Sequence, residues 1–203
     1  LQGGGTINAF TRNAGARLSV VDVGVNYDFG DLPGLVKRKV MHGANDFSKE
    51  PAMTREQALE CLQVGIDMAR EEKNTGLDIV AAGEMGIGNT TTSSAVAAVL
   101  LGQPVELMTG RGAGLSDEGL ARKVDAICRG ILKNEPDPED PLDVLSKLGG
   151  FDIAGLCGIF LGGALAGVPV LADGFISGVA ALCAVRLCPA AAKAAVSYTH
   201  LRA

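Results

Sequence analysis

Residues 77–101 place a short apolar run, a glycine-rich turn and an apolar helix end to end, and that order restricts the chain to few folds. Residues 77–82 (LDIVAA) read as a buried strand and residues 93–101 (SSAVAAVLL) as a helix. Between them lie Gly83, Gly86 and Gly88 and a single carboxylate, Glu84. A strand that enters a helix through a glycine turn aims backbone N–H groups and the positive helix end at an anion, and a phosphate fits there.

Two familiar phosphate motifs are incomplete here. Gly83-x4-Gly88-Asn89-Thr90 has P-loop spacing, but Asn89 stands where a phosphate-gripping lysine is needed. Gly86-x-Gly88-x-x-Thr91 lacks the third glycine of a dinucleotide fingerprint. Two plainer readings stay open: Asn89 or Thr90 caps the helix while the glycines turn the chain, or the segment is a nucleotide-binding module with a P-loop-like turn that binds without catalysis.

The same alternation recurs. Strands are expected at 18–24, ending near Asp22, at 77–82 before Glu84, at 105–108, and at 168–172 before Asp173. Thr54-x-x-Gln57 resembles a capping box for a helix to Lys73, with Ala58, Leu62, Ile66 and Ala69 as its apolar stripe. Ser116 caps the next helix, whose expected buried stripe is Leu120, Val124, Ile127 and Ile131, with Lys123 beside it. Asp140-Pro141 starts a short helix and Gly149-Gly150 ends it, and residues 175–186 form the last helix. This pattern predicts an α/β fold, a Rossmann-like three-layer α/β/α arrangement with a mostly parallel sheet. Ligands in such folds gather beyond the carboxyl ends of strands, so Asp22, Glu84 and Asp173 are expected to face one crevice.

With 203 residues and a net charge of −5, the chain suits one domain and has no basic footprint for nucleic acid. Five cysteines form no C-x-x-C pair and read as small core residues in a reducing compartment, without a metal site. Residues 153–172 carry no charge and contain Gly158-x3-Gly162 and Gly163-x3-Gly167, which are features of spanning helices. Gly167 and Pro169 split the run, however, into a helix too short to cross a membrane and a strand. The expectation is a buried helix whose glycines allow close packing on a sheet or a partner subunit, in a cytoplasmic protein.

The segment Gly83-Glu-Met-Gly-Ile-Gly-Asn-Thr-Thr, followed by Thr109-Gly-Arg-Gly-Ala-Gly-Leu, Asp117-Glu-Gly-Leu-Ala-Arg-Lys and Asp173-Gly-Phe-Ile-Ser, closely resembles the nicotinate-nucleotide–dimethylbenzimidazole phosphoribosyltransferases of cobalamin synthesis. The resemblance implies phosphoribosyl transfer from nicotinate mononucleotide to 5,6-dimethylbenzimidazole, a homodimer, and no cofactor. It assigns Glu84 to stabilising charge near the anomeric carbon, and Asp173 to the same crevice as a second acid. Gly86, Gly88, Asn89, Thr90, Gly112, Gly114, Lys123 and Ser177 are then the phosphate and ribose contacts.

Residues 1–195 are expected to form one partial domain, with residues 196–203 a tail without family counterpart. The resemblance also implies an N-terminal segment of the benzimidazole pocket and a C-terminal glutamate base, and neither is expected within these residues. The chain is therefore expected to be an internal fragment that binds the nucleotide weakly and turns over poorly.

Overall fold

The computed structural model describes residues 3–197, which form α1 (Thr6–Ala14), β1 (Val20–Asp22), β2 (Leu35–Lys37), α2 (Arg55–Lys73), β3 (Val80–Ala82), α3 (Asn89–Leu101), α4 (Val105–Met108), α5 (Asp117–Asn134), α6 (Pro141–Leu148), α7 (Phe151–Ala166), β4 (Val170–Ala172), α8 (Gly174–Leu187) and β5 (Ala195–Ser197), with a 3₁₀ turn Pro189–Lys193 before β5. The fold is mixed α/β, mostly helical, with small parallel sheets.

Local chemistry sets the helix starts. Thr54 Oγ1 accepts the Gln57 N–H at 3.2 Å and Gln57 Oε1 accepts the Thr54 N–H at 2.9 Å, a complete capping box at the head of α2. Ser116 Oγ accepts the Gly119 N–H at 3.2 Å, and Asp140 Oδ1 accepts the N–H groups of Leu142 and Asp143 at 3.1 and 3.2 Å ahead of Pro141.

The uncharged helix α7 is the centre of the core, packed against α2 and α8, with Ile153, Ala154, Cys157 and Phe160 fully buried. Its glycines face α2 of the same chain. A methyl at Gly158 would overlap the Leu62 carbonyl oxygen and come within 2.9 Å of Gly65 Cα, and one at Gly162 would come within 2.9 Å of Ile66 Cα. Gly163 instead faces the start of β4, where a Cβ would overlap the Val170 side chain and lie 2.8 Å from the carbonyl oxygen of Val168 just before it. The small-residue seam expected to face a sheet or a partner subunit is thus filled mainly from within by α2. Among the described residues no helix is long and apolar enough to cross a membrane.

All strand pairing among the described residues is parallel, as expected, but in two sheets rather than one. β3, β4 and β5 lie side by side in the order β3-β4-β5, with Ala82 opposite Ala172 and Val170 opposite Ala195. β1 pairs only with β2, Asp22 opposite Lys37, in a separate sheet. The expectation that Asp22 ends a strand of the same sheet as those leading to Glu84 and Asp173 is corrected by that separation. Asp22 is buried and occupied: its carboxylate accepts N–H bonds from Gly24 and Val25 and pairs with Lys39 Nζ at 3.0 Å.

Two further corrections concern short segments. Residues 105–108 form a helical turn, not a strand, with the Leu107 N–H bonded to the Pro104 carbonyl at 3.1 Å. Four residues are too few for periodicity to separate strand from helix, and no neighbouring strand is there to pair with them. β2 and β5 are defined by their partners rather than by their own composition. β5 includes Val196 and Ser197 of the expected tail; residues 198–203 of that tail lie outside the described residues.

Candidate active site

The paired strands β3 and β4 deliver two acids to one edge. Because Ala82 and Ala172 are in register in a parallel pair, Glu84 and Asp173 leave the sheet at the same carboxyl end, one residue out of step. Asp173 stands at the N-cap position of α8, exposed, and makes no capping bond. Ser177, one turn into α8, is buried and gives its hydroxyl to the Asp173 carbonyl at 2.7 Å, so it braces the backbone that carries the acid.

Glu84 follows β3 on an exposed turn whose apolar residues Met85 and Ile87 are 92% and 108% solvent-accessible. α3 begins after Gly88 with no side-chain cap. Neither Asn89 nor Thr90 acts as a cap, which leaves the first N–H groups of the helix without side-chain acceptors. Asn89 Nδ2 instead donates to Glu84 Oε2 and, at 3.0 Å, to Asp152 Oδ2 in the first turn of α7. Surrounding atoms desolvate the Glu84 carboxyl and raise it above its ordinary 4.5; the Asn89 bond opposes that rise and the Asp152 charge adds to it.

Thr90 faces the other way. Lys123 Nζ donates to Thr90 Oγ1 at 2.9 Å and to the Gly110 carbonyl at 3.0 Å. Lys123 is only 8% exposed, and among the described residues no carboxylate pairs with it. Desolvation lowers its pKa from the ordinary 10.5. Of the expected stripe of α5, Ile127 is buried while Leu120, Val124 and Ile131 are half-buried; the fully buried face is Gly119, Lys123, Ile127, Gly130 and Asn134, so Lys123 lies on the stripe and not beside it. The rotation follows from Gly130, where a Cβ would overlap the Phe47 ring, and from Asn134, whose amide bonds the Phe47 carbonyl at 2.6 Å. The turn between α4 and α5 closes over the lysine. Gly112 has φ +56°, and a Cβ there would lie 3.0 Å from Thr90 Oγ1 and 3.7 Å from Lys123 Nζ. Gly114, in the same turn, borders open space.

The expected residues thus fall into two groups on either side of the α3 N-terminus: Glu84, Gly86 and Asn89 on the acidic side, Thr90, Gly112 and Lys123 on the basic side. Asp173 and Ser177 stand at the end of the neighbouring strand. Asp152 was missed from the sequence. Its only signal was to be the one acid immediately before an uncharged run of helix, after Gly149-Gly150, and that position reads as a helix-dipole acid. Among the described residues no group of three or more histidine, cysteine, aspartate or glutamate side chains is placed to hold a metal.

A family model described as phosphoribosyltransferase matches residues 1–202. Nicotinate-nucleotide–dimethylbenzimidazole phosphoribosyltransferase of Geobacter sulfurreducens is 53% identical over 189 residues, 93% of this chain and 54% of that protein. The protein of the same name from Chloroflexus aggregans is 51% identical over 191 residues, 94% of this chain and again 54% of its own length. The crystal structure of CobT from Thermus thermophilus superposes with a TM-score of 0.92 at 40% identity, covering 97% of this chain and 59% of that one. The chain spans about half the length of these relatives. With a family model matched from end to end and the fold shared with a solved relative, the chain belongs to the phosphoribosyltransferase family, and its likeness is to the nicotinate-nucleotide–dimethylbenzimidazole members.

Proposed function

We propose that this chain forms the nucleotide-binding part of an enzyme that transfers phosphoribose from nicotinate mononucleotide to 5,6-dimethylbenzimidazole, giving α-ribazole 5′-phosphate and nicotinate in assembly of the cobalamin lower ligand. The observation that carries this reading is Lys123: a buried ammonium without a carboxylate partner among the described residues, bonded to Thr90 beside the uncapped N-terminus of α3. A buried cation beside a helix N-terminus without a side-chain cap calls for an anion, and the 5′-phosphate of the nucleotide supplies it.

The remaining chemistry follows from charge. As the bond from ribose to the pyridinium nitrogen breaks, the anomeric carbon becomes oxocarbenium-like, and a fixed carboxylate stabilises it. Glu84 takes that role, with Asp173 as the second acid at the same strand edge. The pyridinium already carries its positive charge, so it departs as neutral nicotinate ring nitrogen without a general acid. The incoming benzimidazole attacks from the opposite face of the sugar and gives up its proton to a base that we do not assign to any residue of this chain. Gly86, Gly88, Gly112 and Gly114 are assigned to close backbone approach, and Asn89 and Ser177 to support of Glu84 and Asp173.

In the complete enzyme we assign the β3-β4-β5 sheet to a Rossmann-like three-layer arrangement, and we place the enzyme in the cytoplasm as a homodimer. Calorimetric titration of the chain with nicotinate mononucleotide tests the binding part. Saturable binding that competes with inorganic phosphate is the expected result, and no binding at millimolar nucleotide overturns it. Nicotinate release by the full-length protein that depends on added dimethylbenzimidazole tests the transfer.

A further inference from the structure

We propose that Asp152 is a positioning residue that holds Glu84 in place through the Asn89 amide. The inference rests on the role proposed above for Glu84. Glu84 sits on a glycine-rich turn whose neighbours Met85 and Ile87 pack against nothing, so the turn has little of its own to fix the carboxylate. Asp152, by contrast, rides on the first turn of α7, next to Phe151, which is 4% exposed and whose carbonyl accepts the Cys61 thiol at 3.0 Å. That helix is the most closely packed element of the core, seated on α2 through its glycines.

Asn89 Nδ2 spans the two acids. Its amide has two N–H donors, one used on Glu84 Oε2 and the other on Asp152 Oδ2 at 3.0 Å. Rotating the amide by 180° would turn its carbonyl oxygen toward two carboxylates, acceptor against acceptor. The second acid therefore locks the orientation that lets Asn89 donate to the first. Gly86 belongs to the same arrangement, since a Cβ there would lie 2.9 Å from Asp152 Oδ2 and 3.1 Å from Asn89 Nδ2. The turn can close down on this link only because residue 86 has no side chain.

A residue that acts only through Glu84 leaves a specific signature in a double-mutant cycle on the full-length enzyme. Asp152→Ala should lower kcat about tenfold while leaving KM for nicotinate mononucleotide within about twofold, because a misplaced carboxylate is felt mainly as the bond breaks. Asp152→Asn keeps an acceptor oxygen for Asn89 and should retain most of the activity. Glu84→Gln/Asp152→Ala should be no slower than Glu84→Gln alone. Full activity in Asp152→Ala, or losses that multiply in the double variant, would overturn the proposal while leaving the Glu84 role intact. Unchanged turnover in Glu84→Gln would remove both. If Asp152→Ala fails to fold, the Asp152→Asn variant carries the test: a loss as large as that of Glu84→Gln, or one additive with it, overturns the positioning role.

Discussion

Lys123 Nζ lies 2.9 Å from Thr90 Oγ1, and this bond joins the middle of α5 to the first turn of α3 across the glycine turn 110–114. It sets a buried positive charge where the helix dipole already favours an anion. The charge has no carboxylate to neutralise it among the described residues, and its bonds to Thr90 and the Gly110 carbonyl offset only part of a desolvation cost that a bound anion would relieve.

Lys123→Met is therefore expected to separate binding from stability. Nucleotide affinity should fall by about tenfold to a hundredfold, the value of one charge-assisted bond to phosphate. The melting temperature should stay within about 4 °C of the parent, since the desolvation cost of an unpaired buried charge is lost along with its two hydrogen bonds to neutral acceptors. Calorimetric titration and thermal unfolding on the same samples check both halves. Unchanged affinity would take the phosphate away from Lys123.

Glu84→Gln in the full-length enzyme should lower turnover by about a hundredfold or more with little change in nucleotide affinity. The pH profile carries the same assignment. Transition-state stabilisation needs the ionised carboxylate, and desolvation raises the Glu84 carboxyl above 4.5. The acidic limb of kcat should therefore lie above that ordinary value, with the rate rising as pH climbs through it, and Glu84→Gln should abolish the limb. For stability the sign is opposite: a raised carboxyl favours folding while protonated, a contribution present below 4.5 and lost as pH rises through the raised value.

Asp22 supplies a contrasting titration. Desolvation alone would raise its carboxyl, but the N–H of Val25, Lys39 and the N–H of Gly24 outweigh it and hold it below the ordinary 3.8. The stabilisation is thus present above 3.8 and is lost as pH falls through the lowered value. Asp22→Asn should lower the unfolding free energy by about 2–3 kcal/mol at pH 7, the cost of leaving Lys39 without its buried partner, and by much less at about pH 2. Urea unfolding at the two pH values is the measurement; equal losses would show that the charge of Asp22 is irrelevant to folding.

Gly158→Ala tests the helix seam. A methyl at 158 meets the Leu62 carbonyl and Gly65 Cα across the α2–α7 contact, backbone atoms that cannot rotate aside. The variant should lose about 3 kcal/mol or more, at the upper end for overpacking, even though alanine is the better helix former. Gly178→Ala, where an added Cβ meets nothing within 4 Å, should be neutral or slightly stabilising and serves as the control.

Several of these features are local, and the sequence by itself determined them. Thr54 with Gln57, Ser116, and Asp140 with Pro141 fix helix starts because each bond spans two or three residues of chain. The strand, glycine turn and helix around Glu84 follow from adjacent residues in the same way, and parallel pairing of β3 with β4 follows from the helices that separate them. The tertiary structure alone decided which residues meet. It placed Asp22 in a second sheet, turned α5 so that Lys123 is buried, and brought Asp152 to Asn89 across 63 residues of chain. Those outcomes depend on how closely distant backbones can approach, at Gly130 against Phe47 and at Gly158 against Leu62, and a periodicity read along one segment carries no information about the shape of the segment that will pack against it.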